Sequence, residues 1–462
     1  MTMRYLTVLV TLLLAVQGVR ADVAQAIWCE GNKTLYFDYH SGTSTGSTYD
    51  SQTVTAAYNV DLATIYTGAP AWNNDTDVDE KAKKVVFRES FKQVKPISCQ
   101  NWFYCFKELT EIEGLENLNT SQVKVMDFMF YGCEKLQTLD VSKFDVTNVT
   151  QALSVFQECT SLETIYCNNV WNFPSTNMTS SMFFNCKSLK GGIAYASDKI
   201  TGEYATPKST GYFTARLGEI TEKTLGGYDG YYGDFTFKLS QGTYTLYKDG
   251  HWNTMCLPFS VSDIAGTVFA GATVRALSAS SFDKNSGLLT LTFAEPTNSI
   301  EAGVPYIVKW ETTSTTPLTT PMEFKGATIH NSVIDTETTN INFRGVFTAV
   351  VSLGENSNTF LYLGSDDKLY FPNNVAVPIG FYHAYFELNL SDQTTVSAKI
   401  RNIALNFDDD DEGTATGITS LPVDVQGTTG AATWYTLDGR RLVGKPTQKG
   451  IFINNGKKII IK

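Results

Sequence analysis

Apolar and polar positions recur with a fixed phase between about Ser98 and Gly192. A Phe is followed three residues on by a Cys or its stand-in, and three further on by a Leu. Phe103-Phe106-Leu109 is the first copy, with Phe in the Cys place. Phe130-Cys133-Leu136, Phe156-Cys159-Leu162 and Phe183-Cys186-Leu189 follow, at Phe-to-Phe steps of 27, 26 and 27 residues. A constant period of this size predicts stacked repeats, each burying its apolar face only against its neighbours.

Within each repeat two elements are expected. Leu136-Gln-Thr-Leu139-Asp-Val141 and Leu162-Glu-Thr-Ile165-Tyr-Cys167 have the L-x-x-L-x-L arrangement of a short strand with its apolar side inward. Val149, Ala152, Phe156 and Cys159 fall at i, i+3, i+7 and i+10, which predicts one face of a helix capped by Thr147 or Asn148. Pro174 interrupts the third helix, and Lys190-Gly191-Gly192 ends the array.

Residues 22–97 read as an N-terminal cap, with strands at Ile27–Cys29, Thr34–Phe37 and Lys84–Phe87 and a turn at Glu30-Gly31-Asn32. Residues 98–216 hold the repeats and an exit linker. From about Leu217 the period is lost. Phe235–Leu239 and Tyr244–Tyr247 around Gly242 predict a hairpin. Leu288–Phe293, Pro305–Lys309, Phe360–Leu363 and Ala384–Leu388 add strands, so 217–405 reads as one β-sandwich. Residues 406–417 form an acidic linker. Residues 418–462 form a small β module with turns at Asp438-Gly439 and Asn455-Gly456. The expected fold class is therefore α+β/mostly β: a short leucine-rich-repeat solenoid with an N-terminal cap, a β-sandwich domain and a small C-terminal β module.

Residues 1–21 have the charged, apolar and small-residue zones of a secretory signal peptide, with Arg4, Leu6–Val16 and Val19-Arg20-Ala21. No later apolar run approaches the roughly 20 residues of a spanning helix. The expected location is secreted, extracellular or attached to the outer-membrane surface. The chain carries 36 Lys and Arg against 47 Asp and Glu. Without Arg4 and Arg20 the balance is 34 − 47 = −13. Such a surface repels polyanions, which argues against nucleic acid as a partner. Of the eight Cys, Cys29, Cys99 and Cys105 are the expected candidates for disulfide pairing. Cys133, Cys159 and Cys186 share one place in successive repeats and read as buried small hydrophobes.

Residues 27–192 resemble the BspA-like leucine-rich repeat surface proteins of Bacteroidota. Leu139-Asp-Val-Ser-Lys-Phe-Asp-Val-Thr-Asn-Val-Thr150 carries the family's coil pattern, and Asn119-Thr-Ser-Gln-Val123 with Met126-Asp-Phe-Met-Phe130 follows the same frame. Val85–Phe91 echoes the family's entry stretch. Residues 250–388 are similar to a β domain of secreted proteins from the same bacteria, through Gly250–Phe259, Ile300–Val308 and Ala384–Leu388. The tail, from Tyr435–Arg441 to Gly450–Ile453 and Lys462, resembles a type IX C-terminal sorting module. The resemblance implies surface adhesion and binding of host or matrix proteins.

Enzymatic signals are weak. Gly42-Thr-Ser44-Thr-Gly46 fits G-x-S-x-G but lies in a Ser/Thr/Gly loop, whereas a nucleophile elbow needs a strand before and a helix after. His40, His251, His330 and His383 have no paired motif. Asp408, Asp410, Glu412 and Gly413 start like a calcium loop, but Thr419 stands where a bidentate Glu is required. His251, Trp252 and Cys256 fit a packed strand. No enzyme, cofactor or metal site is expected.

The strand residues between the buried ones are the expected binding surface: Glu111 and Glu113, then Thr138, Asp140 and Ser142, then Thr164, Tyr166 and Asn168. This acidic, hydroxyl-rich strip with one exposed aromatic suits a basic segment of an extracellular or host protein. The alternative is glycan binding by the sandwich through Tyr228, Tyr231 and Tyr232. A hydrolase with scattered catalytic groups is the third reading.

Overall fold

The computed structural model describes residues 22–63, 68–173, 176–221, 223–238, 246–311, 313–347, 351–355, 357–372, 376–389, 400–407, 434–436, 441–442, 446–447, 450–454 and 457–461. The chain divides into two compact units. One holds the chain up to Ile165 with Trp171–Leu189 and Tyr195–Tyr204. The other holds Tyr166–Val170, Lys190–Ala194 and Ala205 onward.

The first unit opens with an antiparallel hairpin. Val23–Cys29 pairs with Thr34–His40, from Val23 opposite His40 to Cys29 opposite Thr34. The connection is a 3-10 turn, Glu30–Asn32, closed by Lys33 in the left-handed region. Ala56–Asn59 adds antiparallel to Val23–Cys29, and Lys84–Phe87 adds parallel to Thr34–His40. Glu111–Glu113 lies parallel to Lys84–Phe87 and completes a five-stranded sheet. Phe37 is the hub beneath it. Its ring stacks on Phe87 at 4.6 Å and on Trp102 at 5.4 Å, with Trp72, Phe91 and Phe103 edge-on at 5.3–5.9 Å. Each such pair contributes about 0.5–1.5 kcal/mol beyond area burial.

The Phe frame of the sequence is a physical column. Phe103, Phe130, Phe156 and Phe183 are fully buried. Successive rings stack at 5.4, 5.9 and 5.6 Å with interplanar angles of 23°, 7° and 16°. Backbone N–H groups around them alternate in direction. Phe103 N donates to Met129 O (2.9 Å) and Cys105 N to Tyr131 O (2.7 Å) in the next repeat. Tyr104 N and Phe106 N turn back to Asn101 O and Phe103 O. The second repeat does the same, with Phe130 N to Val155 O and Gly132 N to Gln157 O.

This alternation corrects the expected helix at Val149–Cys159. A helix would use every N–H internally, whereas here every second one crosses to the neighbouring repeat. The backbone achieves it with two left-handed residues per repeat: Asn101, Phe128, Ser154 and Ser181 in one column, Cys105, Gly132, Glu158 and Asn185 in the other. The three-residue turns put Phe103, Phe106 and Leu109 on one side, which imitates helical spacing in the sequence.

The Cys column lies beside the rings. Cys133 Sγ donates to Phe103 O, Cys159 Sγ to Phe130 O and Cys186 Sγ to Phe156 O, at 3.3, 3.0 and 2.8 Å. All three are buried and free. Burial pushes the thiols of Cys133 and Cys186 well above their ordinary range. The expected pairing among Cys29, Cys99 and Cys105 is not formed; these three are also free. Cys29 is packed with Ile27, Tyr36, Val54 and Val86, and Cys99 is fully buried where the repeats begin.

The second unit is a set of small sheets. Phe213–Ile220 and Tyr232–Phe237 pair in parallel, and Tyr232–Phe237 pairs antiparallel with Met322–Thr328. The expected hairpin is therefore not made by Phe235–Phe237. Tyr247–Asp249 pairs instead with Thr313–Pro317, and 239–245 lie outside the described residues. A five-stranded sheet runs through Asn253–Cys256, Pro305–Trp310, Ala272–Asp283, Leu288–Phe293 and Asn402–Phe407. A second contains Thr336–Glu337, Ile341–Gly345, Ala384–Leu388, Phe360–Leu363 and Leu369–Tyr370. Arg344 in the second donates to Asp335 and Glu387 at 2.7 and 2.8 Å. Trp434–Thr436, Arg441–Leu442, Gly450–Asn454 and Lys457–Ile461 form a separate four-stranded sheet.

The fold class expected from the sequence is thus corrected. The protein is a mostly β assembly of many small sheets. The sole α-helix among the described residues is the single turn Thr76–Asp79. Among the described residues the repeats contribute no α-helix, only 3-10 turns such as Leu115–Asn117 and Thr176–Thr179, and their short strands do not close into one continuous solenoid sheet. Glu111–Glu113 ends one sheet while Thr138–Asp140 belongs to another. Residues 217–405 distribute their apolar side chains over three separate cores, so they are not one two-layer sandwich.

Candidate functional site

The expected strip begins on Glu111–Glu113, a strand whose two Glu flank the half-buried Ile112. The side chains of Glu111 and Glu113 are each 57% exposed and share Lys84, at 3.1 and 2.6 Å from its Nζ. The hydrogen bond to Glu113 is the larger cause that raises the Lys84 ammonium above its usual pKa. One cation thus offsets two carboxylates. On Thr138–Asp140, Thr138 is exposed and Leu139 buried. Asp140 Oδ1 accepts from Ser142 N at 3.0 Å, which fixes its carboxylate. Ser142 Oγ and Thr164 are half-buried or deeper, and present little surface.

Tyr166, at the end of the strand Thr164–Tyr166, and Asn168 are both engaged by Arg216. The Arg216 guanidinium sits 3.6 Å over the Tyr166 ring, and Tyr166 Oη donates to Asp234 at 3.2 Å. Asn168 Nδ2 donates to Arg216 O at 3.0 Å, and Arg216 N donates to Asn168 Oδ1 at 2.7 Å. The expected exposed aromatic therefore has one face covered by a cation.

An aromatic surface that the strip reading did not include lies on the turn side of the repeats. Tyr104 is 38% exposed, and its ring stacks on Tyr131 at 4.9 Å and 13°. Phe128 stands nearly perpendicular to both, at 6.3 and 5.9 Å. Tyr104 and Tyr131 each follow the buried Phe of their repeat, as does the exposed Phe184. That one-residue offset from the frame was the available signal. Beside these rings is a cavity of about 310 Å³ lined by Ala69, Gln100, Asn101, Tyr104 and Phe128. A second, of about 200 Å³, shares Ala69 and Gln100 and adds Asn59, Asp61 and Ser98 as polar lining. Two hydrogen bonds fix the wall: the buried Trp72 Nε1 donates to Trp102 O at 2.8 Å, and Asn73 Nδ2 to Tyr104 O at 2.7 Å.

Ser44 of the G-x-S-x-G match follows the strand Thr34–His40 with no helix after it, and its carbonyl accepts from Ser47. His251 Nδ1 is 3.2 Å from Asp367, and His383 Nδ1 is 2.8 Å from Thr254 O. Cys256 is buried, with its thiol pushed up by desolvation and directed at Gly303 O. Tyr228 and Tyr231 meet edge-on at 5.6 Å, with Lys208 Nζ 4.0 Å from the Tyr231 ring centre. Tyr232 packs against Gly326. The acidic run Asp408–Gly413 lies outside the described residues. Among those described, no group of three or more His, Cys, Asp or Glu is placed to hold a metal, and no helix is long and apolar enough to cross a membrane.

These features define a β-rich repeat protein built on a recurring Phe–Cys–Leu frame. Residues 97–201 match a family described as "Mycoplasma protein of unknown function, DUF285", which at a coarse level agrees with the BspA-like resemblance of the repeats. No curated protein and no solved structure matches the chain.

Proposed function

We propose that this is an exported recognition protein that binds a basic segment of an extracellular or host protein through the exposed strand residues of its first unit. The observation that carries the reading is the pair Glu111 and Glu113, more than half exposed and held in fixed positions by Lys84. Thr138 and Asp140 extend the surface. The BspA-like character of the repeats and the leader-like residues 1–21 support an adhesive, surface-located role in Bacteroidota, with the C-terminal sheet as a sorting module.

The test uses the full mature chain and a panel of immobilised extracellular matrix proteins. Binding should weaken with rising salt, because charges at an exposed surface are screened. Glu111→Gln with Glu113→Gln should slow association. Binding that is indifferent to both salt and the double substitution would remove the strip as the site.

A further inference from the structure

We propose that the turn face of the repeats binds a neutral carbohydrate, with a sugar ring packed against Tyr104 and Phe128 and its hydroxyls reaching Gln100, Asn101 and Asp61. This site is separate from the acidic strip and does not depend on it.

Three observations converge. Tyr104 is exposed and Phe128 and Tyr131 are half-buried, although the Phe of the column in each repeat is buried completely. Tyr104, Phe128 and Tyr131 form one contiguous cluster, with rings 4.9–6.3 Å apart. The C–H face of a sugar is apolar and packs on such rings. The adjoining cavity, at about 310 Å³, is at the lower end of the roughly 300–1,000 Å³ of small-ligand clefts.

The polar lining selects among ligands. Gln100, Asn101 and Asn59 offer both donors and acceptors, and Asp61 offers acceptors only when ionised. Hydroxyl groups can answer both kinds. Among the described residues no Lys, Arg or His lines either cavity while the acidic Asp61 does, which disfavours a sulfated or carboxylated ligand. A proline-rich peptide would also pack on the rings. It brings carbonyl acceptors but no N–H at its prolines, and so offers no donor to the side-chain amide oxygens of Gln100 and Asn101.

The site is also built in advance. Asn101 and Phe128 are both held in the left-handed region, and the backbone of Tyr104 is tied to Asn73. A rigid wall loses little ordering entropy when a ligand arrives.

The experiment is isothermal titration of the full chain with neutral hexasaccharides (β-1,3-glucan, β-1,4-glucan, xylan and α-mannan fragments), with heparin and decaproline as the other probes. At least one neutral hexasaccharide should bind and heparin should not. Tyr104→Ala should weaken that binding about tenfold or more, and Gln100→Ala several-fold. Tyr231→Ala, in the second unit, should leave it unchanged. Near-UV circular dichroism checks folding; if Tyr104→Ala loses its native spectrum, Gln100→Ala with an intact spectrum carries the test. No binding to any neutral probe overturns the proposal. So does binding untouched by the first-unit variants, binding lost in Tyr231→Ala, or a Tyr104-dependent affinity for decaproline or heparin in place of the sugars.

Discussion

Replacing Phe130 tests whether the ring column holds the repeats together. Phe130 is fully buried and stacked on both sides, at 5.4 Å from Phe103 and 5.9 Å from Phe156. Truncating a buried Phe to Ala costs about 3–5 kcal/mol through lost transfer and the cavity left behind. Two ring contacts disappear together, each worth about 0.5–1.5 kcal/mol beyond area, which places Phe130→Ala near the top of that range. Phe130→Leu keeps most of the apolar volume and should cost about 1–2 kcal/mol. The readout is hydrogen exchange at Cys105 and Gly132, whose N–H groups bridge successive repeats. Local opening free energies there avoid the two-state assumption that a chain of two units need not satisfy. A cycle with Leu at Phe130 and Phe156 should show coupling above about 0.5 kcal/mol, while one at Phe103 and Phe156, separated by Phe130, should be additive. A loss below about 1 kcal/mol for Phe130→Ala, or equal coupling in both cycles, would refute the column as a chain of neighbour contacts.

Three further outcomes follow. In native protein, iodoacetamide should label the half-exposed Cys105 first, and Cys133 and Cys186 only after denaturant. Burial raises these folded-state thiol pKa values. The associated stability is therefore intact below the unfolded thiol value of about 8.5 and falls as pH climbs above it towards the folded values, which melting curves from neutral to alkaline pH will show. Gly114→Ala should destabilise the first unit by more than about 1 kcal/mol, read by thermal melting. Gly114 has φ +68°, and a Cβ there would collide with Phe87 O, the acceptor for Asn117 Nδ2.

The period of the array was legible because ring burial imposes it. Phe103, Phe130, Phe156 and Phe183 can stack only if the chain returns to the same place after each 26 or 27 residues. The local conformation was not legible, because a three-residue turn and a helix both return apolar residues to one side at i+3. Gly132, Asn101 and Asn185 suit left-handed backbone, but Phe128, Ser154, Ser181 and Glu158 do not advertise it. The strip was half legible. Glu111 and Glu113 flank the half-buried Ile112, Thr138 precedes the buried Leu139, and all three are exposed. Tyr166 and Asn168 obey the same alternation, yet Arg216 occupies both from far along the chain. The strands of 217–405 were also visible one by one. Their partners were not, because Phe235–Phe237 looks the same whether it pairs with a hairpin neighbour or with Met322–Thr328.

The crossing hydrogen bonds at Cys105, Gly132 and Glu158 have a genetic consequence. Each boundary between repeats is made from the same backbone donors, the same ring contact and, from the second repeat on, the same thiol donor. An in-frame duplication or deletion of 26 or 27 codons would rebuild an equivalent boundary and leave both flanking segments untouched. A shift of a few codons inside a repeat would instead move every ring and thiol out of phase. Length in such a gene should therefore vary in whole repeats, and the reach of the protein with it.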